Sequence, residues 1–182
     1  MQRELVERAR SGDHAAFSEL ARASGDRLLA LARLILRDET LAEDATQEAL
    51  VAAWKYLRGL RDPDRFDAWL NRLLVNACRR EGRRSRGRAQ REIHGSVVEA
   101  STSDATRDVL NRDELERGFR GLDLEHRAVV VSYYYLGLRP EEAAEILGIP
   151  AGTVRSRLHR AVQQMRATLE ADARMSSRGV LA

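Results

Sequence analysis

The spacing of apolar residues constrains the fold of this chain more than any other feature. Steps of three and four residues mark one face of a helix, and they recur along most of the chain. Glycine (12) and proline (3) are too few in 182 residues for a turn-rich β sandwich. The sequence therefore predicts an all-α protein. The first buried stripe comprises Leu28, Leu31, Ala32 and Ile35.

Helix starts in the N-terminal half can be read from capping residues. Asp13 is placed to cap a helix that begins near His14. Thr40 is expected to cap the next helix, with Glu43 as its capping-box partner, and that helix should run to about Leu57. After a break at 59–64, a further helix is expected over 66–80. The side chains expected to face the core are Leu50, Trp54 and Leu57 in the first of these two helices, and Leu70, Leu73, Leu74 and Ala77 in the second.

The composition changes abruptly after Cys78. Residues 79–91 contain seven arginines and a single acid, Glu81. Residues 92–108 are rich in Ser, Thr, Gly and acids, and they cannot bury enough apolar surface to offset their ordering entropy. We therefore predict two small helical domains joined by a flexible linker. The predicted limits are 1–84 for the first domain, 85–108 for the linker, 109–170 for the second domain and 171–182 for a tail.

The second domain contains the pattern of a helix-turn-helix between Pro140 and Arg160. A short helix is followed by Gly148 for the tight turn, and Pro150 suits the first turn of the next helix because its missing N–H is not needed there. The next helix has a buried stripe at steps of three and four residues. That stripe comprises Val154, Leu158, Val162, Met165 and Leu169.

The outer face of the second helix is cationic along its length, because no acid occurs between Glu145 and Glu170. Arginine and short polar side chains at the start of such a helix suit contacts to base edges in the major groove of DNA. The alternative is an ordinary helical hairpin with a solvated arginine face. The candidate DNA-contacting residues are Thr153, Arg155, Ser156, Arg157, His159 and Arg160.

An acidic stretch in the first domain has the opposite character. Residues 38–48 contain five acids and no cation, so they would repel DNA and suit a protein partner. The alternative is a solvated helix face that interacts favourably with the helix dipole. One face of this helix, opposite the expected core residues, comprises Asp44, Gln47, Glu48, Val51 and Lys55.

Several function classes are disfavoured. Cys78 is the only cysteine, and its apolar neighbours indicate a core residue rather than a nucleophile. The four histidines are far apart, and the acids show no paired-carboxylate context, so we expect no metal, no cofactor and no enzymatic activity. No apolar run has the length of a membrane span, and the first residues do not resemble a signal peptide. We therefore expect a cytoplasmic protein without membrane insertion.

Three separated motifs resemble the sigma factors of bacterial RNA polymerase, in the extracytoplasmic-function (ECF, group 4) class of the sigma-70 family. Leu41–Trp54 resembles the polymerase-binding region 2.2, and Arg65–Arg80 resembles regions 2.3 and 2.4, which melt and read the minus-ten element. Gly152–Ala161 resembles the region 4.2 helix that reads the minus-thirty-five element. The resemblance covers about residues 10–170.

The resemblance implies a promoter-specificity subunit with several partners. These are promoter DNA, core RNA polymerase at its β′ clamp helices and β flap, and an anti-sigma factor. Residues implied to bind core polymerase are Asp44, Gln47, Glu48 and Val51. Residues implied to contact the minus-ten element are Arg61, Trp69, Arg72, Asn76, Arg79 and Arg80. The helix-turn-helix residues named above would contact the minus-thirty-five element.

The second domain departs from the family pattern at three places. Asp123-Leu124 stands where a proline-containing pattern is expected, and Arg139-Pro140 replaces a Ser/Thr cap. The third departure is the run of tyrosines at 133–135, of which we expect at least one to face the core and another to face the polymerase.

Two other functions remain open. A helix-turn-helix regulator that acts without polymerase needs only the C-terminal motif, and it leaves the acidic face unexplained. A sigma mimic that titrates an anti-sigma factor should have lost its basic DNA face, whereas this chain retains one.

Overall fold

The computed structural model describes residues 1–92 and 117–179, and it describes side chains for residues 1–88 and 117–171. The chain divides into two compact units, Met1–Ser101 and Thr102–Ala182. The elements assigned in the described residues are all helical, which confirms the all-α prediction. The end of the predicted linker and the start of the predicted second domain lie outside the described residues, so those limits stay predictions.

The first unit is built from four α-helices and two short 3-10 turns. Helices α2, α3 and α4 pack on one another, and α1 packs on α2. The helices are α1 (Gln2–Arg10), α2 (His14–Leu36), α3 (Glu39–Tyr56) and α4 (Phe66–Glu92), and the 3-10 turns are Leu57–Gly59 and Pro63–Arg65.

Capping residues set the helix starts as predicted in one case and differently in another. Asp13 caps α2, because its carboxylate accepts a hydrogen bond from the Ala16 backbone N–H at 3.0 Å, which confirms the prediction. The predicted cap at Thr40 is wrong. Asp38 has extended backbone and accepts from the Leu41 N–H at 2.8 Å, so α3 begins before Thr40.

Small residues form the core face of α3. Ala42, Ala45, Ala49 and Ala53 are fully buried, whereas the predicted core residues Leu50 and Trp54 are only half-buried. The alanines allow α2 and α4 to approach α3 closely, so the larger side chains lie at the flank. The Trp54 ring packs there against the rings of His14 and Phe17, at centroid distances of 4.4 and 5.0 Å.

Helix α4 begins at the predicted residue and ends twelve residues after the predicted end at 80, at Glu92. The first residues of the predicted linker at 85–108 are therefore helical. Arginine, alanine, glutamine and glutamate are good helix formers, which favours this continuation. Glu81 adds an ion pair with Arg84 one turn later, at 2.7 Å.

The second unit contains the helix-turn-helix. Residues 117–120 are helical, and Gly148 ends the helix before the tight turn in the left-handed conformation, at φ 63°, as predicted. Pro150 lies just before the last helix rather than inside its first turn, and its carbonyl accepts from the N–H of Thr153. The helices are α5 (Leu124–Val130), α6 (Pro140–Leu147) and α7 (Ala151–Gly179), with a π-helical turn at Val131–Tyr135.

Carboxylates replace the expected proline and hydroxyl caps in this unit. Asp123 caps α5 by accepting from the His126 N–H at 2.8 Å. Burial alone would raise the pKa of Asp123, but its hydrogen bonds with the His126 backbone and side chain hold the pKa below its usual value. At the start of α6 the Glu142 carboxylate accepts from the Arg139 N–H at 2.8 Å.

The tyrosine run lies on the surface. Tyr133, Tyr134 and Tyr135 are 38, 60 and 42% exposed, so the prediction that at least one faces the core is wrong. The residues just before the tyrosines, at 129–132, supply the buried side chains. The π-helical turn begins within them, and the Leu136 N–H donates a hydrogen bond to the Val131 carbonyl. Tyr133 and Tyr134 pack edge to face at 5.0 Å.

Candidate polymerase-binding and DNA-binding surfaces

The outer side of α3 carries the residues predicted to bind a protein partner. We call this set the α3 surface: Asp44, Gln47, Glu48 and Val51. Asp44 and Gln47 are exposed, and Val51 is 67% exposed. At about 3.6 residues per turn these positions lie roughly opposite the buried alanines. The side facing away from the core thus combines an exposed apolar side chain with polar and acidic ones.

The outer side of α4 carries the residues predicted to contact the minus-ten element. We call Trp69, Arg72, Asn76, Arg79 and Arg80 the α4 surface. Arg72 and Arg80 are exposed, while the other three are half-buried. The Trp69 ring lies 6.2 Å from that of Phe66, which is buried, so Trp69 rests on the core and supports its neighbours. The predicted loop residue Arg61 is exposed between the two 3-10 turns.

An ion pair joins the two surfaces. The Arg80 guanidinium donates to Glu48 Oε1 at 2.8 Å, so a residue predicted to bind polymerase holds one predicted to bind DNA. The other carboxylate oxygen of Glu48 is buried and accepts no hydrogen bond. Sequence spacing within each helix could not predict this contact, because it joins residues 32 positions apart.

The predicted DNA-contacting residues of α7 divide into two groups. His159 and Arg160 are exposed, and Arg160 forms no ion pair within the described part of the chain. Arg157 instead binds Glu125 of α5 at 2.9 Å, with both side chains mostly covered. Arg155 pairs with Glu141 of α6. The arginines at 155 and 157 therefore join helices of the helix-turn-helix to one another.

The hydroxyl residues at the start of α7 contact each other. Ser156 is exposed, and its hydroxyl donates to the Thr153 carbonyl at 3.0 Å. Thr153 is half-buried. Among the predicted DNA-contacting residues of α7, the solvent-facing ones are therefore Arg155, Ser156, His159 and Arg160.

Two family models match the two units. The model described as sigma-70 region 2 matches residues 20–88, and the model described as sigma-70 region 4 matches residues 112–165. The ECF RNA polymerase sigma factor SigL of Mycobacterium tuberculosis is 38% identical over 88% of this chain and 94% of its own length. The RNA polymerase sigma-E factor of Streptomyces avermitilis is 35% identical over 87% of this chain and 88% of its own.

The chain belongs to the ECF group of the sigma-70 family. As a sigma factor it serves transcription initiation and is not an enzyme. The region 2 match disfavours a helix-turn-helix regulator that works without polymerase. That alternative accounts only for the C-terminal motif and not for residues 20–88.

Solved structures agree with this membership. CnrH, solved in complex with the cytosolic domain of CnrY, is 32% identical and matches with a TM-score of 0.63 over 94% of this chain and 98% of that one. The sigma factor RpoE of Bartonella quintana, solved with the anti-sigma factor NepR, is 25% identical, with a TM-score of 0.67 over 86% of this chain and 98% of that one.

The sigma factor contains two features near the α4 surface and the loop before it that the sequence analysis missed. The first is a largely buried Glu81, which pairs with Arg84 at 2.7 Å and lies 3.9 Å from Arg88. This carboxylate offsets part of the charge of the arginine-rich stretch. The i,i+3 spacing of Glu81 and Arg84 was the available signal.

The second feature is the contact of α1 with the second 3-10 turn and the first turn of α4. Arg3 binds Asp64 at 2.8 Å, and the Gln2 side-chain amide donates to Asp67 at 3.0 Å. The carboxylate of Asp64 holds the pKa of Arg3 above its usual value. These contacts join residues more than 60 positions apart, so no local pattern could indicate them.

Neither a metal cluster nor a membrane-spanning helix occurs among the described residues. No group of three or more His, Cys, Asp or Glu side chains there could hold a metal ion. No described helix is long and apolar enough to cross a membrane. Cys78 is fully buried, and burial raises its thiol pKa to about 12, which suits the predicted core role.

Proposed function

We propose that this sigma factor binds core RNA polymerase through the α3 surface and places α4 and α7 on two promoter elements. The observation that carries the proposal is the contact between the α3 and α4 surfaces. It brings an acidic and apolar face beside a cationic one within a single small domain. A protein that holds polymerase and promoter DNA together needs such a pair of faces.

The α3 surface supports the polymerase-binding role through Val51. An apolar side chain that is 67% exposed on a well-packed helix gains free energy when a partner covers it. Full burial of a valine contributes roughly 1.5 kcal/mol. Asp44 and Gln47 add charge and hydrogen-bonding capacity around it. By resemblance, the partner surface is the clamp helices of the β′ subunit, and the second unit would meet the β flap.

The DNA-binding roles rest on side-chain chemistry. Asn76 can pair with a base edge, and Arg72, Arg79 and Arg80 can bind phosphates. Arg61 lies in the loop at 58–65, which by its resemblance to the family would hold an unstacked base. On α7, the exposed Arg155, Ser156, His159 and Arg160 would contact the upstream element, and Thr153 would support Ser156. Arg157 would hold the recognition helix against α5.

We also propose that an anti-sigma factor regulates this protein in the cytoplasm. RpoE, which matches over most of this chain, was solved with the anti-sigma factor NepR. The exposed α3 surface and the exposed tyrosines of the π-helical turn are surfaces that such a protein could cover. Covering the α3 surface would block polymerase, so inhibition needs no change in the DNA-contacting residues.

In vitro transcription with core polymerase on a promoter library tests the proposal. We expect promoter-dependent initiation with the wild-type protein.

Val51→Asp should abolish polymerase binding while the melting temperature stays near that of the wild type, and Arg22→Asp provides an exposed control on α2. A folded, monomeric or dimeric protein that binds DNA but never joins core polymerase would contradict the proposal.

A further inference from the structure

Glu48 and Arg80 are assigned to different partners in the proposed function, yet they bind each other at 2.8 Å. We propose that Glu48 restrains Arg80 in the free protein, and that a partner engaging Glu48 releases Arg80 to bind DNA phosphate. The inference rests on the proposed function for the identity of the two partners. The restraint itself is a property of the free chain and can be measured without polymerase.

The pair lowers the ability of Arg80 to bind a phosphate. A phosphate must compete with the Glu48 carboxylate for the same guanidinium donors, and it also meets the negative charge of that carboxylate. Arg80 is still 49% exposed, so DNA can reach it without unfolding of the helix pair. Binding of Arg80 to DNA therefore requires exchange of one anionic partner for another.

Glu48 has an unused acceptor through which a second partner could take it over. Its Oε2 is buried and accepts no hydrogen bond, although 34% of the side chain is exposed. A buried acceptor without a donor is unfavourable, and rotation of the side chain away from Arg80 would bring this oxygen to a partner that supplies an N–H or a basic side chain. Gln47 and the exposed Val51 lie beside Glu48 on the same helix surface, so a partner that covers them also reaches Glu48.

The two binding events are then coupled through one side chain. A partner that binds Glu48 more favourably when Arg80 has left makes DNA binding by Arg80 more favourable by the same factor. Half-exposed ion pairs have small interaction energies, which correspond to affinity changes of up to about fivefold. The expected coupling is therefore a two- to fivefold effect.

Glu48→Gln tests the restraint in the free, full-length protein. The probe is a fluorescein-labelled oligothymidine single strand, because phosphate contacts do not depend on base sequence. We expect Glu48→Gln to bind it about two- to fivefold more tightly than the wild type, and Glu48→Ala to do the same. The matched control is Glu43→Gln, which removes one charge from the same helix at an exposed side chain that forms no hydrogen bond or ion pair among the described residues.

The Arg80→Ala background separates this contact from general electrostatics. There we expect Glu48→Gln to change DNA affinity no more than Glu43→Gln does. If Glu48→Gln binds the probe no more tightly than Glu43→Gln, or if its advantage persists without Arg80, the inference is wrong. Failure of the wild type to bind core polymerase would contradict the proposed function and leave the restraint intact, so the two failures are distinguishable.

Discussion

Three arginines on two turns of α7 have three different environments. Arg160 is exposed and forms no ion pair in the described part of the chain, Arg155 pairs with an exposed carboxylate of α6, and Arg157 pairs with Glu125 of α5 under partial burial. All three lie close together in the second helix of the helix-turn-helix. Their environments differ because each has different neighbouring side chains. Glu125 covers most of the Arg157 side chain, whereas Glu141 leaves Arg155 more than half exposed.

Alanine substitutions should separate these roles. Arg160→Ala should weaken binding to the upstream promoter element, by about 1 kcal/mol or more for a lost charged contact, and leave both core binding and thermal stability unchanged. Arg155→Ala should also weaken upstream recognition. Gel-shift titration and calorimetric melting measure these effects. An equal loss of core binding would contradict the assignment.

Arg157→Ala should behave differently from Arg160→Ala. It removes a half-buried link between α7 and α5, so the unfolding free energy of the second unit should fall by about 1 kcal/mol. Chemical denaturation measures the change. If stability is unaffected while upstream recognition is lost, Arg157 contacts DNA directly and the structural role is wrong.

Cys78 offers a test of burial at a single atom. With a thiol pKa of about 12 and no exposed surface, it should react with iodoacetamide at pH 9 at least several hundredfold more slowly than in the unfolded chain, because so little of it is thiolate. Ala30→Cys adds an exposed thiol in the same unit as an internal control, and mass spectrometry assigns the label. Equal labelling of both thiols would show that the core opens readily.

At the scale of elements, helix α3 has a buried face and an exposed face that differ in the size and polarity of their side chains. Its buried face consists largely of alanine, and two helices pack against it, while its exposed face carries Val51, which we propose a partner covers. The sequence periodicity identified the helix and the outer face correctly. It assigned the core to the larger residues Leu50 and Trp54, because size alone does not show how closely neighbouring helices approach.

The alanine face makes α3 intolerant of larger residues. Ala49→Leu should lower the unfolding free energy by about 1 to 3 kcal/mol, because added methylene groups displace α2 or α4. Val51→Ala lies on the other face of the same helix, and it should leave stability unchanged while weakening polymerase binding. Denaturation and polymerase-binding titrations of both variants measure the contrast. Similar stability losses in the two variants would contradict the two-face description.

The start of α3 tests which residue is the cap. Asp38→Ala should destabilise the first unit by about 1 kcal/mol, because the Leu41 N–H loses its acceptor. Thr40→Ala, inside the helix and exposed, should have little effect. The urea midpoints of the two variants measure the change in unfolding free energy. A larger loss of stability in Thr40→Ala than in Asp38→Ala would show that Thr40 is the cap, as predicted from the sequence.

At the scale of the whole molecule, the sequence predicted more of the fold than of the binding surfaces. Helix positions, the glycine turn and the outer faces follow from local periodicity, and local periodicity is visible in one sequence. The contacts of Arg80 with Glu48 and of Arg3 with Asp64 depend on the packing of distant segments. These contacts change which charged side chains are free to bind a partner. The spacing of residues within a single helix does not show such contacts.

The salt dependence of DNA binding reports how many arginines meet phosphates. Five contacts from the stretch after residue 78 would give a log–log slope of roughly −4 to −5. Arg80, Arg84 and Arg88 in this stretch pair with or lie near acids, so we expect a slope shallower than roughly −4 for the free protein on duplex DNA. Fluorescence anisotropy over a series of salt concentrations measures it. A slope of roughly −4 to −5 or steeper would show that the acids do not compete with phosphates.

The contacts of α1 bear on how promoter preference can be transferred between sigma factors. The matched region 2 begins at residue 20, yet Arg3 and Gln2 hold Asp64 and Asp67 at the loop proposed to receive an unstacked base. A loop moved alone into a relative would leave behind the side chains that brace it. Chimaeras that exchange α1 together with residues 58–67 should therefore read the donor's promoters more faithfully than those that exchange the loop by itself.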